Sequence, residues 1–268
     1  MVIKAYSSTR ALHGVQSQID RTSQALASGK RINSAADDAA GLAIARKLEG
    51  QEVSLSQAGR NLADASSFVR VADGGLSEAS SIVTRLRELA IEASNGTLSD
   101  GQRTTLQQEA GALSEELGRI EQTTEFNGTR VFEDGVSLDV QAGDDAGETI
   151  AIDPGGSFVA PLGLDGIDLS TVDGAREALG VLDAASENIS SRQAELGATD
   201  NRFRVAGNEV ASSREALVAA RSRIEDADIA ETTARSVAER IRSQAAVAVH
   251  GQANFTTSLL GSLYEGIG

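Results

Sequence analysis

Between Ala178 and Ala248 an apolar position recurs every three or four residues, and few folds can accommodate so long a pattern. The stripe runs Ala178, Leu182, Ala185, Ile189, Arg192, Leu196, Thr199, Phe203, Ala206, Val210, Ser213, Leu217, Ala220, Ile224, Ala227, Glu231, Ala234, Ala238, Ile241, Ala245 and Ala248. Only Arg192, Thr199, Ser213 and Glu231 are polar. A mean step of about 3.5 residues keeps these side chains on one face of a slightly underwound helix, the pattern of a coiled coil. No proline interrupts it. A continuous helix of about 70 residues would be roughly 105 Å long at 1.5 Å per residue, more than one globular core can cover. It needs a partner helix, from the same chain or from another.

A matching stripe lies upstream. Leu55, Ala58, Leu62, Ala65, Val69, Ala72, Leu76, Ala79, Val83, Leu86, Ala90 and Ala93 hold the same period. Gly74-Gly75 lies inside it and lowers helix propensity by roughly 1 kcal/mol per residue against Ala. Because the stripe keeps its phase across the pair, it reads as a close-packing point or a weak spot. Asn95-Gly96 ends the helix. Nearer the N-terminus, Leu12, Val15, Ile19 and Leu26 make a thinner stripe, too weakly apolar to stand alone. Gly29 punctuates it, and residues 30–41 lead into a second helix reaching about Glu49, with Asn33 or Ser34 as the candidate cap. After a loop at 97–100, Leu106, Ala110, Leu113, Leu117 and Ile120 predict a third helix, antiparallel to its predecessor and closed by a turn at Phe126-Asn127-Gly128.

The period then changes. Val136, Leu138 and Val140 alternate, Gly143 to Gly147 supply a turn, and Ile150 and Ile152 alternate again, which predicts a β-hairpin within about 131–153. Pro154-Gly155-Gly156 and Pro161 to Leu164 read as loop, and Ser170-Thr171-Val172-Asp173 resembles a capping box opening the long C-terminal helix. The expected fold is mainly α: long antiparallel coiled-coil helices forming a rod, with one small β-hairpin as the turnaround and the only non-helical structure.

Composition narrows the chemistry. Aromatic residues are 3% and Trp and Cys are absent, so the core is built from small and branched aliphatics, as closely packed helices require. Asp and Glu number 39 against 24 Lys and Arg, a formal charge of -15 that disfavours nucleic acid and anionic membranes. Without Cys there is neither a disulfide frame nor a thiolate metal site. The start, Met1-Val2-Ile3-Lys4, lacks a basic region followed by an apolar run, so no cleaved signal is expected, and no stretch is apolar enough to span a bilayer. His13 and His250 sit near opposite ends, and a shared metal is not expected. Asp37-Asp38 reads as helix N-terminal charge and Asp144-Asp145 as an acidic turn, not as catalytic pairs. No Gly-rich run has the form of a phosphate loop. With no grouping of nucleophile, base and orienting residue, neither an enzyme nor a cofactor is expected. Asn95-Gly96-Thr97 and Asn127-Gly128-Thr129 fit the N-glycosylation acceptor pattern, yet Asn-Gly at both places is explained by turning alone.

Several segments together resemble bacterial flagellin, the subunit of the flagellar filament. Residues 26–45, Leu26-Ala27-Ser28-Gly29-Lys30-Arg31-Ile32-Asn33-Ser34-Ala35-Ala36-Asp37-Asp38-Ala39-Ala40-Gly41-Leu42-Ala43-Ile44-Ala45, are similar to the family's N-terminal signature. Residues 220–231, Ala220-Arg221-Ser222-Arg223-Ile224-Glu225-Asp226-Ala227-Asp228-Ile229-Ala230-Glu231, are similar to its C-terminal one, and Gln252-Ala253-Asn254 and Ser258-Leu259-Leu260 to its tail. Thr124 to Gly128 sits where the family turns into its hairpin. The resemblance implies a terminal coiled coil, D0, from 1–40 and 228–268, forming the filament core, and a D1 helical unit over 41–227. No outer D2 or D3 domain is expected, so D1 itself would face outward.

On that resemblance, self-assembly in D0 would rest on Leu12, Val15, Ile19, Ala234, Ala238, Ile241, Ala245 and Ala248. The D1 seam would comprise Leu62, Val69, Leu76, Val83, Leu86, Leu196, Phe203, Val210, Leu217 and Ile224. Implied partners are further copies of the chain, an export chaperone on the tail at about 243–268, and the filament cap and hook-associated proteins. The implied location is the extracellular filament, reached by flagellar type III export. Arg85-Leu86-Arg87-Glu88-Leu89-Ala90 resembles the D1 patch met by a vertebrate Toll-like receptor, with Arg85, Leu89 and Glu109 expected to point outward. Subunit contact alone is the other reading of that patch. A hook-filament junction protein and a coiled-coil adaptor remain as alternatives. Glu231, just past the D0 boundary, reads as a hinge or spoke.

Overall fold

A computed structural model describes the backbone of residues 2–265, and side-chain surroundings for residues 10, 13–252 and 255. The elements are α1 (Val2–Ser28), α2 (Ala39–Ala93), α3 (Asp100–Thr123), β1 (Glu125–Phe126), β2 (Thr129–Arg130), β3 (Leu138–Gln141), β4 (Thr149–Ile152), α4 (Val172–Glu225) and α5 (Ile229–Glu265). The fold is mainly helical with small antiparallel strand pairs. Three expectations need correction. One unbroken α2 replaces a helix ending near Glu49 and a second beginning near Leu55. The C-terminal stripe is interrupted at 226–228 rather than running through. A second strand pair, β1 with β2, joins the expected hairpin.

The chain divides into two compact units, Val53–Glu215 and Met1–Glu52 with Ala216–Gly268. The divisions fall inside α2 and α4, each twelve residues from the D0/D1 boundaries expected at 40/41 and 227/228.

In the unit at 53–215, α2 and α4 run antiparallel. Ser66 Oγ donates to Asp200 Oδ1 at 2.6 Å, Gln193 Nε2 to Asp73 Oδ1 at 3.3 Å, and Arg87 Nε pairs with Asp183 at 2.7 Å. Between these polar flanks the α2 stripe from Leu55 to Ala93 is buried at every seam position, and Ala178, Leu182, Ala185, Ile189, Leu196, Phe203 and Val210 are buried on α4. Leu217 and Ile224, farther along α4, are half-buried. Arg192, a polar break in the stripe, donates through Nη1 to Gly156 O at 2.7 Å and through Nη2 to Ser157 O at 3.3 Å. Burial draws its pKa down, against the opposing pull of Asp153 and Glu121.

Helix α3 starts at a capping box: Gln102 N donates to the Ser99 side chain while Gln102 Oε1 accepts from Ser99 N. The turn from β1 into β2 places Asn127 at φ 51° and Gly128 at φ 79°, the two left-handed residues a two-residue hairpin needs. β3 and β4 pair with Leu138 opposite Ile152 and Val140 opposite Ile150.

The segment after β4 is not a surface loop. Phe158, Leu164 and Leu169 are fully buried, and α3 side chains satisfy the backbone beside them. Glu121 accepts from Ser157 Oγ at 2.9 Å, Phe158 N at 2.9 Å and Val159 N at 2.8 Å. Gln107 accepts from Leu169 N and donates to Ile167 O. Gly75 is the close-packing point of its pair: a Cβ there would lie 2.8 Å from Phe132 Cε2, whereas Gly74 faces open space. Phe132 in turn meets the edge of Phe158 at 5.3 Å between centroids. Thr171 caps α4, its Oγ1 accepting from Gly174 N at 3.0 Å; because Gly174 occupies the third helical position, the expected reciprocal box cannot form.

In the other unit both chain reversals meet. Gly29, at φ 71°, lets the chain leave α1. Arg31 N donates to Glu225 O at 2.6 Å, Ala227 N to Gly29 O at 2.9 Å, and Lys30 Nζ pairs with the buried Glu225 carboxylate at 2.7 Å. Asp38, not Asn33 or Ser34, caps α2, since its Oδ1 accepts from Gly41 N at 2.8 Å. Asp37 instead orders the entry turn by accepting from Asn33 N, Ser34 N and Ser34 Oγ, and the Ser34 hydroxyl holds its carboxyl below the ordinary range. Asp228 starts α5 by accepting from Ala230 N at 2.9 Å and Glu231 N at 3.0 Å. The interruption therefore belongs to 226–228. Glu231 is exposed and pairs with Arg235 at 2.7 Å.

Candidate assembly interface

The interruption decides which face of α5 its own chain covers. Seen as one continuous stripe, α5 should turn Glu231, Ala234, Ala238, Ile241, Ala245 and Ala248 toward its partner helix. In the structure those residues are exposed. The covered positions are Thr232, Ser236, Glu239, Ser243, Ala246 and His250, one or two residues out of phase. At about 100° per residue such a shift carries the apolar stripe to the opposite side. The physical cause is the capped restart at Asp228, which frees α5 from the phase of α4.

The covered face is polar. Ser236 and Glu239 are buried, at 4% and 5% exposure. Thr22 Oγ1 donates to Glu239 Oε2 at 2.7 Å, a buried bond that sets the register of α1 against α5. On α1, Val15 and Ile19 are half-buried and Leu26 is 38% exposed. The side chain of Leu12 lies outside the described residues.

What α5 offers outward is an apolar surface. Ile241 is 61% exposed, Val237 51% and Val249 69%, with Ala234, Ala238, Ala245 and Ala248 between them; Val247, 58% exposed, lies about 120° round the helix from Ile241, beside the covered face. Isolated exposed aliphatics are ordinary, but a continuous ridge along one helix marks a surface that another protein covers. Sequence reasoning found Ile241 and the alanines and missed Val237, Val247 and Val249. Val237 and Val249 each stand one residue from a stripe alanine, Ala238 and Ala248, and that offset becomes legible once the helix break is known.

The expected outward patch on α2 is different from the prediction. Arg85 and Glu109 are exposed and paired at 2.7 Å, with Glu88 also on Arg85 at 2.9 Å. Leu89 is 1% exposed and cannot point outward. At this level α2 is flanked by α3 through Glu109 and by α4 through Asp183, so it buries a second stripe beside the seam.

The groove of about 390 Å³ between α2 and the β3–β4 hairpin has Asp64 and Asp139 in its lining but no histidine, cysteine or lysine. Among the described residues no group of His, Cys, Asp and Glu is arranged to hold a metal ion, and no helix is long and apolar enough to cross a membrane.

Comparison with known proteins places this geometry in a family. Residues 2–136 match the model of the bacterial flagellin N-terminal helical region and residues 179–263 that of the C-terminal helical region. The chain is 34% identical over 268 residues to a flagellar filament core protein of Brachyspira hyodysenteriae, covering 94% of each. It is 36% identical over 240 residues to a flagellin of Halalkalibacterium halodurans, covering 88% of each. Among solved structures, Bacillus cereus flagellin superposes with a TM-score of 0.52 at 27% identity, over 56% of this chain and 88% of that one.

Proposed function

Because the chain belongs to the bacterial flagellin family, we propose that the outward ridge of α5 is the surface through which successive subunits hold one another. The chain is a structural subunit that polymerises into the extracellular flagellar filament. Its work is mechanical rather than catalytic. The observation that carries the proposal is the phase of α5: its polar face is used within the chain, and its apolar face is left for other copies. One surface repeated along a head-to-tail contact gives an open helical polymer. In this reading Ala234, Ala238, Ile241, Ala245 and Ala248 act with Val15 and Ile19, and with Leu12, as the self-assembly set. Segments 1–40 and 228–268 form the filament core, and 41–227 faces outward without further domains.

The same reading assigns the other partners. An export chaperone covers the C-terminal segment from about 243 before passage through the flagellar type III route, and the cap and hook-associated proteins meet the polymer at its ends. A receptor contact on α2 would rest on Arg85 and Glu109 without Leu89.

The chain has no cysteine, so a single Ile241→Cys variant reports on this surface alone. A thiol reagent should label it fully in subunits and leave it protected in polymer. Equal labelling in both forms would refute the assignment.

A further inference from the structure

We propose that Asn95 is a self-modifying site, its side-chain amide converted to aspartate or isoaspartate through attack by the Gly96 backbone nitrogen. The proposal rests on local geometry and not on the filament reading. Asn95-Gly96 lies in the connection between α2 and α3, and both residues are exposed. Asn95 N donates to Glu92 O and Leu98 N to Asn95 O, but among the described residues Gly96 N donates to nothing. Asparagines inside α2 and α4, such as Asn61, Asn188 and Asn208, are followed by a residue whose N–H is committed to the helix ladder. Asn95 is followed by a free nucleophile with no side chain to crowd its approach.

The electrophile is polarised as well. Asn95 Oδ1 accepts from Thr97 N at 3.1 Å and from Thr97 Oγ1 at 3.0 Å. Two donors on one carbonyl oxygen stabilise the negative charge that gathers there as a nucleophile adds to Cγ, as in an oxyanion hole. Asn127-Gly128 supplies an internal comparison. It has the same dipeptide in an exposed hairpin turn, but no hydrogen bond to the Asn127 side chain is present among the described residues.

The chemistry balances without a co-reactant other than water. Hydroxide takes the Gly96 amide proton, the nitrogen adds to Asn95 Cγ, and the bond from Cγ to the side-chain nitrogen breaks. That nitrogen takes up a proton from water and leaves as ammonia, and the remaining five-membered succinimide is opened by water. Opening at one carbonyl gives aspartate; opening at the other gives isoaspartate, which adds a methylene to the backbone joining α2 to α3. Either product places a carboxylate just beyond the C-terminus of α2, where the helix dipole disfavours it. Arg103 lies beside it, its Nη1 donating to Asn95 O at 3.3 Å. The change is one-way, so subunits bearing it accumulate with age.

The test is incubation of the folded full chain at mildly alkaline pH, with peptide mass spectrometry following amide loss at Asn95 and Asn127 in the same sample. Asn95 should react about tenfold faster, less than the gain from an enclosed oxyanion hole because the loop is open to water. Thr97→Ala should slow Asn95 several-fold and leave Asn127 unchanged, and Thr97→Ser, which keeps the hydroxyl, should restore the rate. In urea the two rates should converge. Equal or faster reaction at Asn127, or no effect of Thr97→Ala in a chain whose helical circular dichroism is unchanged, would overturn the proposal.

Discussion

Replacing Ile241 with aspartate should abolish polymerisation while the isolated subunit keeps its fold. Ile241 is 61% exposed in the single chain, so the substitution removes little that the subunit itself uses, and exposed changes of this kind move stability by about 0.5 kcal/mol or less. In polymer the same position would be covered. Burial of an isoleucine side chain contributes about 1.5–3 kcal/mol, and an unpaired carboxylate in its place adds a penalty of several kcal/mol. Since about 1.4 kcal/mol is a tenfold change in affinity, the subunit concentration needed for assembly should rise more than about 100-fold. Sedimentation of polymer, with circular dichroism of the subunit as control, reads both halves of the expectation. Glu231→Ala on the same helix breaks only an exposed ion pair with Arg235 and should assemble normally. Normal sedimentation of the Ile241→Asp chain would show that the ridge is not a subunit contact.

The second large effect lies in the unit at 53–215. Phe132 is 2% exposed, contacts the edge of Phe158, and fills the space that Gly75 leaves beside α2. Phe132→Ala should cost about 3–5 kcal/mol, because the helices around it relax only partly into the cavity. For a unit of this size that lowers the melting temperature by about 10 °C. Phe132→Ala combined with Phe158→Ala should cost less than the sum of the two, since the second truncation removes a ring already missing its partner. A loss below about 1 kcal/mol for Phe132→Ala would mean that this corner is not closely packed.

How much of this was legible depends on where a period could be followed. The α2 stripe from Leu55 to Ala93 could be placed residue by residue, because one face of one helix meets one partner and the heptad records that contact directly. The β3–β4 pairing was likewise visible in the alternation of Leu138, Val140, Ile150 and Ile152. The phase of α5 was not. Its alanines continue the step of α4 across 226–228, and the interruption depends on Gly29, Lys30 and Arg31, nearly 200 residues away in sequence, meeting Glu225 and Ala227. A local pattern holds no record of that meeting. Leu89 was misplaced for a related reason: a heptad identifies one seam, while α2 is covered on two sides. The burial of Phe158, Leu164 and Leu169 left no periodic trace either, since polar side chains of α3, Glu121 and Gln107, hold that segment by its backbone.

The assembly surface thus follows from one local event. Asp228 caps a new helix, the new helix turns Ser236, Glu239 and Ser243 inward, Glu239 against α1, and Val237, Ile241, Val249, Ala234, Ala238, Ala245 and Ala248 are left outside. Electron microscopy of the purified chain, concentrated and seeded with short filament fragments, tests this most directly. The account predicts long helical filaments with α1 and α5 innermost and the Ile241 ridge of each subunit against its neighbours. A chain that stays a soluble monomer or dimer under seeding, or filaments in which that ridge faces solvent, would contradict it.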